Sequence, residues 1–329
     1  MSRLHLSFAC GDYDRTRALE EGTIRPDGID LTYLRLPVEE TFFRMMRHRE
    51  FDVAELSLSS YVKSLDSDDR PFVALPVYTS RQFRHAGIFV NANSGVQKPE
   101  DLRGKIVGTP EWQLTANVWI RGFLADQYGV PIDSVEYRTG GQEMPGRIEK
   151  AAVDLGDRIR ISPIPADRTL SEMLATGEID AFQGPRLPSS FNGDGRVRRL
   201  FPDPVAEEKK YFAETGIFPI MHVVVVRRDV YERHPWVAQS LTKALERGRQ
   251  QALVELYDAA ALRFMLPWLV PGVEEARALL GEDYWSYGLE ANRHVLDTFL
   301  GYHHEQGLSR RRYTPEELFA PEATESFLI

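Results

Sequence analysis

Glu55 lies in Val53-Ala54-Glu55-Leu56-Ser57, an otherwise apolar run. A carboxylate in such surroundings costs free energy unless something partners it. Glu55 is therefore read as a functional acceptor for a ligand hydroxyl, with a structural pair to Arg or Lys as the alternative. His222 opens the β-branched run Val223 to Val226, after Phe218-Pro219-Ile220-Met221. An imidazole titrating near ~6.5 serves at neutral pH as proton donor or metal ligand. The plainer reading is a His bonded to backbone at a strand start.

Arg81, Arg84 and His85 put two guanidinium forks and an imidazole into one short segment. Guanidinium groups hold carboxylates bidentately, so the segment has the chemistry of a carboxylate site, or else of ion-paired surface groups. In extended chain Arg81, Phe83 and His85 share a face and Arg84 points the other way. Arg84 and His85 therefore meet one ligand only if a bend intervenes. Arg186, in Gly184-Pro185-Arg186, is a further candidate clamp.

Glu111 and Trp112 precede an expected helix from Leu114 to Tyr128. The backbone N–H groups of Gln113 to Thr115 would open that helix and form an anion-binding start. Trp112 stacks on an aromatic ligand or is an ordinary packed Trp. Glu111 beside an anion is unfavourable unless it is protonated, binds a metal or accepts from a hydroxyl. Asp12 and Tyr13 follow the first strand, and Ser57, Ser59 and Ser60 tip the third; strand ends of this kind carry ligands in α/β sheets. The serines cap a helix or touch ligand. His303-His304 is read as a solvated helix face.

The elements that must position these groups alternate. Leu4 to Ala9, Ile29 to Leu36 and Phe51 to Leu58 read as strands, with helices over Asp14 to Glu21 and Glu39 to Arg49, which implies parallel pairing with crossover helices. Val73 to Val77 and His85 to Asn91 read as two more strands. Lys105 to Gly108, Val135 to Thr139, Arg158 to Pro163 and Ile179 to Phe182 read as extended pieces, and Leu170 to Thr176 as a helix. Pro185 to Pro204 reads as a long surface loop. A long amphipathic helix is expected from Trp236 to Tyr257, with the remainder to about Tyr302 helical.

Of 329 residues, 40 are Lys or Arg and 49 Asp or Glu, for a net charge of −9. That balance argues against a grip on nucleic acid phosphates. The one cysteine, Cys10, excludes intramolecular disulfides and multi-cysteine metal sites. No stretch approaches the ~18 uninterrupted apolar residues of a membrane span, and the N-terminus has no export signal pattern. A soluble cytoplasmic protein of two domains is expected.

Three strand–helix units, a crossing strand ending in Ala92-Asn93-Ser94, the phrases Pro99-Glu100-Asp101-Leu102-Arg103-Gly104-Lys105 and Gly177-Glu178-Ile179-Asp180-Ala181, and a returning strand near Val223 together resemble the type II periplasmic-binding-protein fold over nearly the whole chain. The resemblance implies an α/β architecture of two lobes with a ligand cleft between them. Residues 1–92 would form the first part of lobe 1, 93–219 lobe 2, and 220–329 the rest of lobe 1 with C-terminal helices. Within that fold, Gly11-Asp12-Tyr13-Asp14-Arg15-Thr16, Gly28-Ile29-Asp30-Leu31, Glu40-Thr41-Phe42-Phe43-Arg44, Glu55-Leu56-Ser57, Phe83-Arg84-His85 and Pro110-Glu111-Trp112-Gln113-Leu114-Thr115-Ala116 are similar to the 4,5-dihydroxyphthalate decarboxylase family.

That resemblance implies loss of carbon dioxide from a hydroxylated aromatic dicarboxylate to give 3,4-dihydroxybenzoate. A ring carbon would be protonated by His85 or His222, Glu55 or Glu111 would accept at the para hydroxyl, and Arg81, Arg84 or Arg186 would hold the retained carboxylate. Asp12, Tyr13, Ser57, Trp112 and Thr115 complete the expected substrate contacts. No HExxH or paired-His motif occurs, so no cofactor is expected; a divalent ion on His85, His222, Glu55 and Glu111 is the alternative. The expected partner is a small aromatic carboxylate, with neither nucleic acid nor membrane. The apolar Leu262, Phe264, Met265, Leu266, Trp268 and Leu269 favour a homo-oligomer. The rival function is a non-catalytic cytosolic solute-binding protein for an organic acid, and a third reading is a biosynthetic enzyme on the same fold.

Overall fold

A computed structural model describes residues 3–147 and 155–324. The strands in chain order are β1 (Leu4–Cys10), β2 (Ile29–Arg35), β3 (Val53–Ser57), β4 (Phe72–Arg81), β5 (Ile88–Asn91), β6 (Ile106–Thr109), β7 (Glu136–Thr139), β8 (Arg160–Pro163), β9 (Ala181–Gln183), β10 (Val197–Arg199) and β11 (Ile220–Arg227). The α-helices are α1 (Asp14–Glu20), α2 (Val38–His48), α3 (Leu58–Ser64), α4 (Thr115–Tyr128), α5 (Leu170–Thr176), α6 (Pro204–Thr215), α7 (Arg228–Arg233), α8 (Trp236–Leu256), α9 (Leu269–Leu280), α10 (Arg293–Glu305) and α11 (Pro321–Thr324). None of the described helices is long and apolar enough to cross a membrane.

The chain divides into two compact units. One comprises Met1–Arg81, Ile220–Asp297 and Tyr313–Ile329; the other comprises Gln82–Pro219 and Thr298–Arg312. The first unit holds a five-stranded sheet in the order β2-β1-β3-β11-β4. β1 is parallel to β2 and to β3, as strands joined by the crossover helices α1 and α2 should be. β11 is antiparallel to both β3 and β4, because it enters after the long excursion through the second unit and not through a crossover helix. β3 is thus central, and all five of its residues are buried. That explains its continuous apolar run and makes Glu55 the exception to be accounted for.

The second unit holds a six-stranded sheet in the order β10-β5-β9-β6-β7-β8. Its core gathers Phe89, Leu170, Leu174, Ile179, Phe182 and Val197. β5 pairs with β9 and β10 here, so Ile88–Asn91 belong to the second sheet and the chain leaves the first unit after Arg81. Residues 298–312 cluster with the second unit as well, where Phe299 and Tyr302 pack on Trp119.

Several local expectations are corrected. His85–Gly87 is a 3-10 turn and not the start of a strand. The stretch read as one long loop contains β10, whose pairing to β5 no local periodicity announces. Residues 257–268 are not helical, so the helical reading to Tyr302 holds only in α9 and α10. His303 is fully buried against Phe299 instead of lying on a solvated face.

Candidate active site

Glu55 is the middle residue of β3, its side chain completely buried, and its neighbours on β1, β4 and β11 convert that burial into a hydrogen-bonded site. Oε1 accepts from the Tyr13 hydroxyl at 2.8 Å, from the Thr79 hydroxyl at 2.9 Å and contacts His222 Nδ1 at 2.7 Å. Oε2 accepts from the Gly11 backbone N–H at 3.1 Å, with the Cys10 thiol at 3.7 Å. The Gly11 contact depends on the turn after β1 running close beneath Tyr13: a Cβ at Gly11 would stand 2.9 Å from the Tyr13 ring.

Burial alone pushes the Glu55 carboxyl up, but the charge and hydrogen bond of His222 and the donations of Tyr13 and Gly11 outweigh it and hold the group below its ordinary value. The same environment pushes the Cys10 thiol and the Tyr13 phenol up, through burial first and the Glu55 charge second. Both therefore stay protonated, Tyr13 as a donor to Glu55 and Cys10 as a buried thiol without thiolate character.

His222 sits where β11 faces Ser57 of β3 and Ser80 of β4. Its ring meets the edge of Phe42 at 4.9 Å, and 17% of its side chain is exposed. Nδ1 is committed to Glu55, while Nε2 has no partner among the described residues. A carboxylate on one ring nitrogen fixes the tautomer and leaves the other nitrogen to exchange a proton.

Thr79 reaches Glu55 because β4 is irregular. Opposite the step from His222 to Val224 on β11, β4 takes the longer step from Ser80 to Leu75. The carbonyls freed from the ladder find other donors, as buried carbonyls must. Gly288 N–H bonds Pro76 O at 2.8 Å, Trp285 Nε1 bonds Tyr78 O at 3.0 Å, and Arg15 Nε bonds Thr79 O at 2.6 Å. The Arg15 guanidinium lies between the Tyr13 and Trp285 rings, 4.1 and 4.5 Å from their centroids. Its helix comes this close to α8 because Gly248 has no side chain; a Cβ there would meet Arg15 O at 2.8 Å.

The first unit thus brings together Glu55, His222 and Tyr13 of the expected residues. Ser57 caps α3, accepting from Ser60 N–H at 3.4 Å. Asp12 is exposed and paired with Arg35 at 3.1 Å. Arg81 Nη2 bonds Ser286 O at 2.8 Å and the Asn292 side chain, and burial pushes its guanidinium down to about 10. Thr79, Arg15 and Phe42 were not singled out from the sequence. Arg15 and Phe42 stood inside quoted motifs, but nothing local signals that their targets lie on β4 and β11.

The other expected residues lie in the second unit. His85 is 1% exposed and stacks on Phe123 at 4.2 Å, with Phe201 and Tyr211 around it and both ring nitrogens unpartnered. Burial pushes it down to about 4. Arg84 is also buried and pushed down to about 10, with Glu208 as its neighbouring charge. Glu111 is buried and held by Arg147 through Nε at 2.8 Å and Nη2 at 2.6 Å. Trp112 is fully buried, donates Nε1 to Gln306 O at 3.0 Å and carries the Arg121 guanidinium 3.6 Å over its ring. Thr115 is buried in the first turn of α4, and Arg186 is exposed on the loop after β9. Among the described residues no group of three or more His, Cys, Asp or Glu is arranged to hold a metal ion.

The chain is 44% identical over 330 residues to a 4,5-dihydroxyphthalate decarboxylase of Comamonas testosteroni, covering all of both proteins. It is 43% identical over 205 residues to a 4,5-dihydroxyphthalate decarboxylase of Pseudomonas putida, covering 62% of this chain and 80% of that one. Among solved structures it is similar to the periplasmic aliphatic sulphonate binding protein of Escherichia coli, with a TM-score of 0.54 and 12% identity over 98% of this chain and 99% of that one. That likeness is one of fold, and the α/β periplasmic-binding-protein architecture stands. No protein-family model matches the chain.

Proposed function

The chain belongs to the 4,5-dihydroxyphthalate decarboxylase family, and from that premise we propose that His222, held by Glu55, supplies the proton its reaction consumes. The enzyme is a carboxy-lyase that converts 4,5-dihydroxyphthalate to 3,4-dihydroxybenzoate and carbon dioxide. Replacing a carboxylate on an aromatic ring by hydrogen needs a proton at the carbon that carries the leaving group. His222 Nε2–H donates it to that carbon, and the hydroxyl para to it releases electron density into the ring. The carbon–carboxylate bond then breaks, its electron pair restores the aromatic ring, and carbon dioxide departs. The imidazole, left neutral, regains its proton from solvent.

Glu55 stabilises the imidazolium in this scheme. Its oxygens already accept from Tyr13, Thr79 and Gly11 as well as contacting His222, so the earlier expectation that it accepts a substrate hydroxyl gives way to an orienting role. The observation that carries the proposal is the 2.7 Å contact at Nδ1 with Nε2 left to the substrate. His85 supports no such role: its aromatic surroundings disfavour the charged form that a proton donor must hold.

We propose further that the reaction runs on these side chains without a metal or organic cofactor. The test is turnover of 4,5-dihydroxyphthalate by chelator-treated protein, with carbon dioxide release followed directly, then repeated with divalent ions added. Turnover without metal supports the scheme. Turnover only after metal addition overturns the cofactor-free part, and binding without turnover under either condition returns the chain to the solute-binding reading.

A further inference from the structure

We propose that Thr79 is a positioning residue for the proton donor: its hydroxyl fixes the rotation of the Glu55 carboxylate so that Oε1 addresses His222 Nδ1. This rests on the assignment of His222 as the donor. Oε1 is shared by Tyr13, Thr79 and His222 at 2.8, 2.9 and 2.7 Å, and Oε2 is anchored by Gly11 N–H at 3.1 Å. The donors come from three separate elements, the turn after β1, the irregular part of β4 and β11, so a carboxylate rotation that satisfies all of them at once is strongly restricted. Thr79 itself is fully buried. Its backbone is held in the irregular segment by Arg15, whose Nε bonds Thr79 O at 2.6 Å. Arg15 is stacked between Tyr13 and Trp285. The same guanidinium therefore braces both hydroxyl donors to Glu55, one through its carbonyl and the other through its ring.

The charge balance makes the role measurable. A hydroxyl donated to a carboxylate draws off part of its negative charge. Without it, Glu55 directs more charge at the imidazolium and holds the proton on His222 more tightly. The groups facing the Glu55–His222 pair are Cys10 on β1, Tyr13 in the following turn, Arg15 on α1, Tyr33 on β2, Phe42 on α2 and Thr79 on β4. Cys10, Tyr13 and Tyr33 are all pushed up, so they stay neutral through the neutral pH range. A moved limb in the pH profile therefore reports the Glu55–His222 pair.

The experiment compares the wild-type enzyme with Thr79→Val, which keeps the shape and loses the hydroxyl, and Thr79→Ser, which keeps it. Expected for Thr79→Val is a kcat about tenfold lower with KM little changed. The alkaline limb of kcat/KM, where the donor loses its proton, should move up by roughly half to one pH unit. Thr79→Ser should restore both. A lowered melting temperature in Thr79→Val with an unmoved limb and unchanged kcat overturns the proposal, since a merely structural role would do that. His222→Gln measured alongside separates the two levels. If it retains turnover, the donor assignment itself has failed; if it abolishes turnover while Thr79→Val leaves the limb in place, only the role of Thr79 has failed.

Discussion

His222 Nδ1 and Glu55 Oε1 stand 2.7 Å apart although the two residues are not directly opposite each other in the sheet. His222 faces Ser57 and Glu55 faces Val224 across the antiparallel β3–β11 pair, so the two side chains meet on the diagonal of one sheet face. Diagonal neighbours lie too far apart for short side chains and within reach of long ones. A Glu and a His span the gap, where an Asp at position 55 would fall short.

His222→Gln should keep the fold and lose the chemistry. The amide can still bond Glu55 but cannot deliver a proton, so kcat should fall by about 100-fold or more. Steady-state consumption of 4,5-dihydroxyphthalate measures this, and a fall of less than about threefold would show that the proton comes from elsewhere.

Glu55→Gln tests the buried carboxylate for stability as well as rate. Glu55 is held below its ordinary value in the folded chain, so the folded state binds its proton less readily than the unfolded one. The stability it contributes is complete above the unfolded value near ~4.3 and is lost as pH falls from there through the lower folded value. In Glu55→Gln the amide nitrogen cannot accept, and the donors gathered on the two oxygens cannot all be satisfied. Denaturant titration at neutral pH should show a loss of about 1–3 kcal/mol. The gap to wild type should narrow below pH ~4.3. A gap that is constant with pH would mean that Glu55 is not ionised in the fold.

What the sequence made legible follows from contrasts of polarity within short runs. A carboxylate inside Val53-Ala54-Glu55-Leu56-Ser57 and an imidazole at the head of Val223 to Val226 are local anomalies, and both belong to the site. Thr79 was hidden because its role depends on a β4–β11 irregularity that only the paired strands define. Arg15 was hidden because its carbonyl target is 64 residues away. His85 and Trp112 drew attention by residue type and by their place in short motifs, neither of which reports burial. Their burial is decided by Phe123, Phe201 and Tyr211 in one case and by Arg121 and Gln306 in the other, all distant in the chain. The α/β class was legible from strand–helix alternation, whereas the antiparallel entry of β11 was not, because it is set by the excursion through the second unit.

His85→Phe should leave turnover nearly intact and change how stability responds to acid. The folded imidazole is pushed down to about 4 from its ordinary 6.5, so between those values the unfolded chain binds the proton and the folded chain does not. Wild-type stability should therefore decline as pH falls from about 6.5 to about 4, by at most roughly 3 kcal/mol from this group. A Phe keeps the stack on Phe123 and removes that proton, so the variant should gain on wild type as the medium is acidified. Melting temperatures at pH 7, 6, 5 and 4.5 measure the trend. Parallel curves, or a folded variant without turnover, would restore His85 as an accessible proton donor.

Arg81→Lys discriminates between a clamp on the substrate and a clamp on the chain. The Arg81 guanidinium bridges Ser286 O and the Asn292 side chain, and Asn292 Nδ2 in turn donates to Gly288 O at 2.9 Å. The arrangement fastens the segment that carries Trp285, the ring against which Arg15 rests. A lysine ammonium lacks the planar fork needed to hold both partners from one position. The variant should be less stable by about 1–3 kcal/mol. Its KM at a temperature where it is fully folded should stay within about twofold of wild type. Thermal unfolding and steady-state kinetics on the same preparation give both numbers. A KM raised tenfold or more with an unchanged melting temperature would move Arg81 from the frame of the site to its ligand.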